Sequence, residues 1–63
     1  MSKFLFGDGV IIRYGFYVGC TGVVMQEKDG RYFVNGMQQT YMGMLEFSEW
    51  FDEDWLEEIS APY

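Results

Sequence analysis

The stretch DGVIIRYGFYVGCTGVV, Asp8 to Val24, decides how this chain is read. Val10, Ile11 and Ile12 are a β-branched run of the kind enriched in strands. By the period of two, Val10 and Ile12 share one face while Ile11 and Arg13 take the other. Gly15 follows an aromatic residue and lets the chain leave the strand with φ above zero at no steric cost. Gly19 and Gly22 flank Cys20-Thr21, which reads as a tight reversal, and Val23, Val24 and Met25 open a second strand. Three glycines at this stagger, framed by apolar runs, predict a sharply bent meander.

Outward from that stretch the signals are those of a small all-β domain spanning residues 1–63. Residues 1–7 read as a lead-in or short edge strand, with strands at about 10–14 and 22–28. Asp29-Gly30 is a two-residue hairpin signal, because a type I′ turn needs positive φ at both central positions. The next strand, Arg31 to Val34, puts Tyr32 and Val34 on one face and Arg31 and Phe33 on the other. Asn35-Gly36 reads as a second turn of the same kind. Met37 to Met42 is a weaker strand candidate that Gly43 interrupts. Residues 45–59 admit two readings. As a helix over 48–58, Ser48 is the N-cap and Phe47, Trp50, Phe51, Trp55 and Ile59 form a stripe. As a barrel ending, Leu45 to Phe51 is a strand, Asp52-Glu53-Asp54 a single 3₁₀ turn, and Trp55 to Ile59 the last strand.

Asp8-x-Val10-x-Ile12-x-x-Gly15-x-Tyr17-x-Gly19-x-x-Gly22-x-Val24 resembles the KOW motif of small SH3-like barrels, over 17 of the 63 residues. The resemblance implies an antiparallel SH3-like (KOW-like) barrel of about five strands, and with it the second reading of 45–59. It also implies contacts to RNA or protein through the loops around these glycines, as in large-subunit ribosomal proteins and transcription elongation factors.

At this length a domain buries only about 60% of its unfolded surface, and its core seldom nets more than ~3–5 kcal/mol. The composition answers with 49% apolar and 21% aromatic residues. Thirteen aromatics are more than so small a core easily hides, and any surplus becomes contact surface. The single cysteine, Cys20, forms no internal disulfide, which suits a reducing cytoplasm. Phe4-Leu5-Phe6 is too short for a signal or membrane segment, so a soluble cytoplasmic protein is expected. The Met1-Ser2-Lys3 start reads as that of a complete small protein.

No residue set names a reaction. Histidine is absent, which removes the commonest general base and metal ligand. Cys20 reads as a small residue filling a turn. Asp52-Glu53-Asp54 lacks the glycine and spacing of a calcium loop, and Gly7-Asp8-Gly9 lacks the Lys-Ser/Thr and helix of a phosphate loop. No catalytic residue, cofactor or metal is therefore assigned.

The charge is distributed unevenly. Glu46, Glu49, Asp52, Glu53, Asp54, Glu57 and Glu58 contribute −7 to a net charge of −6, with no base beyond residue 45. Unopposed like charges repel and destabilise, so such a surface suits complementarity to a basic partner. The expected function is non-enzymatic protein binding, with this acidic face docked on a basic surface of a partner, such as one that binds nucleic acid. Small phage-encoded inhibitors and anti-defence proteins share its size and acidity. The partner-binding candidates are Glu49, Asp52, Glu53, Asp54, Glu57 and Glu58 for steering, with Trp50 or Trp55 as anchor. A second candidate contact is Arg13, Tyr14, Phe16 and Tyr17. It serves the alternative of a KOW-like accessory of transcription or translation bound to RNA, although so few bases deprive direct nucleic-acid binding of its main affinity term. A third reading is a subunit of a larger complex or a homo-oligomer.

Overall fold

Glycines inside strands, rather than at turns, shape this sheet. The computed structural model describes residues 3–59. Its elements are β1 (Gly9–Ile12), β2 (Thr21–Lys28), β3 (Arg31–Thr40), β4 (Gly43–Asp52), a 3₁₀ helix (Glu53–Trp55) and β5 (Leu56–Glu58). All pairings are antiparallel, in the order β4-β3-β2-β1-β5. Among the described residues the sheet does not close, because β4 and β5 each have a single neighbour.

It must nevertheless curl. Five strands laid flat would set the outer two about 19 Å apart, whereas the four Cα steps from Asp52 to Leu56 span at most ~14 Å. Two features permit the bend. Gly22 and Gly36 face each other in register, with Val10 beyond Gly22 on one side and Phe47 beyond Gly36 on the other. A Cβ on Gly36 would stand 2.5 Å from the Phe47 ring and from the Thr21 carbonyl oxygen. A Cβ on Gly22 would stand 2.6 Å from a Val34 methyl and 2.7 Å from the Asn35 oxygen. The second feature is a bulge in β2, where the register shifts between Val24 and Gln26, and bulges increase local twist.

The concave side holds the core: Phe4, Val10, Ile12, Val24, Tyr32, Val34, Phe47, Phe51 and Leu56. Val10 with Ile12, and Tyr32 with Val34, each share a face as their alternation requires, and that face is the inward one. The lead-in forms no strand between residues 3 and 8, yet it plugs the core. Phe4 meets the Tyr32 ring edge-on at 5.1 Å. The Lys3 and Phe4 amides donate to the Tyr32 hydroxyl at 2.7 and 3.3 Å, so the most deeply buried phenol has its polar end satisfied.

Asp29-Gly30 joins β2 to β3 with φ of 54° and 81°, the two-residue turn expected of it. Three expectations are corrected. Asn35-Gly36 is no turn: β3 continues to Thr40, because Gly36 sits on the inward parity beneath the Phe47 ring. Cys20-Thr21 is not the reversal. Thr21 already pairs with Ile11, and the chain turns between Ile12 and Cys20, closed by Gly19 N–H to Ile12 oxygen at 2.7 Å. Helix 48–58 does not form. β4 pairs with β3 from Gly43 to Asp52, and only the 3₁₀ turn, one residue later than expected, is helical. Phe47 and Phe51 are four apart, a spacing that satisfies both the strand and the helix period. Among the described residues, no helix is long and apolar enough to cross a membrane.

Gly36→Ala is expected to cost about 1–3 kcal/mol by overpacking. In a domain of this size each kcal/mol lowers Tm by roughly 4–8 °C. Thermal melts followed by circular dichroism check this; an unchanged midpoint would mean that β2 and Phe47 do not press on this glycine.

Candidate functional site

Alternation along β4 splits its residues between two environments. Phe47 and Phe51 point into the core, whereas Ser48, Trp50 and Asp52 stand on the convex face. There they form a ladder of cross-strand pairs with β3: Asn35 donates to the Ser48 hydroxyl at 3.1 Å, Phe33 packs on Trp50 at 5.2 Å, and Arg31 Nε meets Asp52 Oδ1 at 3.1 Å. Glu49 shares the inward parity of the two phenylalanines but is exposed. It can be, because β4 is an edge with nothing beyond it in the sheet among the described residues.

The loop between β1 and β2 reaches over this edge. The Tyr17 ring stacks on Phe47 at 4.1 Å and meets Phe51 edge-on at 6.2 Å. Phe16 packs edge-on against Tyr17 at 5.0 Å but is itself 81% exposed. Trp55 lies directly against Gly15, whose φ of 86° and missing Cβ admit the indole ring. Arg13 N–H donates to the Trp55 carbonyl at 2.8 Å and fixes the 3₁₀ helix beside the loop. The result is an open cleft of about 190 Å³. Phe16, Tyr17, Trp50 and Trp55 wall it, Phe51 underlies it, and Glu49, Asp52 and Arg31 supply its polar side. Small-molecule sites usually enclose ~300–1,000 Å³, so this cleft is sized for a side chain.

Of the expected partner-binding residues, Glu49, Trp50, Asp52 and Trp55 therefore converge on one cleft, together with Phe16 and Tyr17 from the second set. Asp54, Glu57 and Glu58 line a separate depression of about 380 Å³ with Arg13 and Tyr14. Glu53 lies on the 3₁₀ helix and lines neither. Of the second set, Arg13 and Tyr14 line that depression while Phe16 and Tyr17 wall the cleft; the Tyr17 ring stacks on Phe47, and Arg13 Nη1 donates to Glu57 Oε1 at 3.1 Å. Two residues of the cleft, Arg31 and Phe51, were not among the candidates. The cross-strand register that brings Arg31 to Asp52 was the missing signal.

Electrostatically the acidic character persists after pairing. Arg13–Glu57 and Arg31–Asp52 are both more than half exposed, where ion pairs contribute at most about 1 kcal/mol. Among the described residues Glu46, Glu49, Glu53, Asp54 and Glu58 make no ion pair. No three carboxylate or thiol groups among the described residues gather as a metal site. A different surface is formed at the tip of the β3–β4 hairpin, where Tyr41 is 98% and Met42 80% exposed. The chain matches no family model, no curated protein and no solved structure.

Neighbouring aromatics of the β1–β2 loop are expected to differ sharply on truncation. Tyr17→Ala should cost about 2 kcal/mol by removing a ring stacked on the core, and Phe16→Ala no more than about 0.5 kcal/mol. Chemical denaturation of the two variants checks this, and equal losses would contradict the packing of the loop.

Proposed function

We propose that the protein is a non-enzymatic binding module whose acidic, aromatic face docks on a basic surface of a partner protein. The observation that carries this reading is the cleft at the β4 edge, where exposed indole and phenyl faces lie beside two carboxylates, Asp52 in an exposed pair with Arg31 and Glu49 in no ion pair among the described residues. Aromatic anchors surrounded by charge are the usual makings of a binding hot spot with electrostatic steering. Nucleic-acid-binding grooves are the basic surfaces most available in a cell. Occupying one would make the protein an inhibitor of the phage or anti-defence type.

The same reading takes the fold as a small SH3-like barrel of the KOW kind. In its support, β1 pairs with both β2 and β5, and a 3₁₀ helix leads into the last strand. Val10 and Ile12 of the motif are buried, Gly15 and Gly19 have positive φ, and Gly22 meets β3 closely. Direct RNA contact is the weaker use of such a fold here. The chain holds four bases, two of them engaged by its own carboxylates, and phosphate neutralisation supplies most nucleic-acid affinity.

Reversing Asp52, Glu53 and Asp54 to Lys tests the proposal, using the tagged protein to capture partners from a lysate of the cells that encode it. The expected result is retention of a basic protein at low salt, its release at high salt as screening shortens the reach of the charges, and its loss from the triple variant. Retention unaffected by both salt and charge reversal would defeat the reading.

A further inference from the structure

We propose that the outer edge of β4 accepts an extended, arginine-bearing segment of the partner as an added strand, with one guanidinium in the cleft between Trp50 and Trp55. This rests on the acidic-face reading above and specifies the conformation and the anchor chemistry of what binds there.

The first ground is the edge itself. Among the described residues, the ten-residue β4 pairs only with β3, and no backbone hydrogen bond from elsewhere reaches it. In an antiparallel strand, alternate residues direct both N–H and C=O away from the existing neighbour. The outer side of β4 therefore offers a row of unmade hydrogen bonds, the template on which strand addition works.

The second ground is which strands that edge admits. Antiparallel self-pairing centred on Glu49 would set the Glu49 side chains of the two copies opposite each other and Glu46 of each copy opposite Asp52 of the other, and like charges opposite each other destabilise a ladder. A charge on the inward parity, which Glu49 occupies, is one way edges resist indiscriminate pairing. Glu46, Glu49 and Asp52 thus repel a second copy and any acidic strand, while a cationic strand meets complementary charge on both faces of the same edge.

The cleft supplies the third ground. It adjoins the edge at Glu49 to Asp52 and presents aromatic faces beside carboxylates. A planar guanidinium stacks on an indole and donates to a carboxylate in the same plane, which a lysine ammonium does less well. The chain's own Arg31 shows the compatibility: its Nε lies 3.1 Å from Asp52 Oδ1 at the cleft wall. That pair is solvent-exposed and, among the described residues, leaves Glu49 without an ion-pair partner, so an incoming guanidinium needs to displace nothing buried.

Both tryptophans of the chain line this cleft, so intrinsic tryptophan emission reads its occupancy directly. The probes are a capped hexapeptide of alternating threonine and arginine, its lysine counterpart, and its counterpart methylated at every backbone nitrogen. At low salt the arginine peptide should change the emission saturably. The lysine peptide should need several-fold more, and the N-methylated peptide, which keeps the charge but cannot donate to an edge, at least about ten-fold more. Equal binding of the N-methylated peptide overturns strand addition. Equal binding of the lysine peptide, or binding seen by calorimetry without an emission change, overturns the guanidinium anchor. Each of these leaves the acidic-face reading standing, whereas failure of both the arginine and the lysine peptide to bind defeats the inference and that reading together.

Discussion

The Phe47 ring resting over Gly36, with the Gly22 backbone beneath Val34, is the contact on which the remaining architecture depends. Side chains at the two glycines would push β2, β3 and β4 apart, and the sheet would lose its close inner packing. Without the curl that this packing permits, three residues could not link the outer strands. With it, the end of β4 and the start of β5 approach, and the 3₁₀ helix carries Trp55 onto Gly15. The loop from β1 to β2 then has a floor to cover, and Tyr17 supplies the cover by stacking on Phe47.

The arrangement of the cleft follows from where the sheet stops. An interior strand must bury both neighbours of an inward phenylalanine, but an edge strand need not. Glu49 therefore stays hydrated between Phe47 and Phe51, and Trp50 turns to the convex face against Phe33. The cleft straddles the edge and draws walls from both sides of β4, from the loop and from the 3₁₀ helix. Chain segments far apart in sequence, around Phe16 and around Trp50, meet there. The two exposed arginine pairs are too weak to hold the fold together, and they remove little of the negative potential that a cationic partner would encounter.

Much of the fold is legible in the sequence where one local rule acts alone. Val10 and Ile12 alternate cleanly, Asp29-Gly30 has the required turn chemistry, and Tyr32 and Val34 occupy inward positions. Legibility fails where a residue serves a distant neighbour. Asn35-Gly36 has turn chemistry, but Gly36 is small because Phe47 and Gly22 approach it from other strands. Gly22 likewise marks a close approach between strands and not a corner. Phe47 and Phe51 fit a helix as well as a strand, and only pairing with β3 decides between them. For the site, the residue types were readable and their grouping was not. Trp50, Trp55, Glu49 and Asp52 stand out by charge and size, yet nothing local divides them from Glu57 and Glu58, or brings Arg31 to Asp52.

Amide hydrogen exchange along β4 is the most direct measurement of an open edge on a curled sheet. Amides directed toward β3 are held in the ladder and should exchange slowly, while those on the alternate residues face solvent and should exchange freely. An alternating pattern from Gly43 to Asp52 is the expected result. Continuous protection along the strand would mean that the edge is already paired, and it would contradict both the open sheet and the vacancy for an added strand.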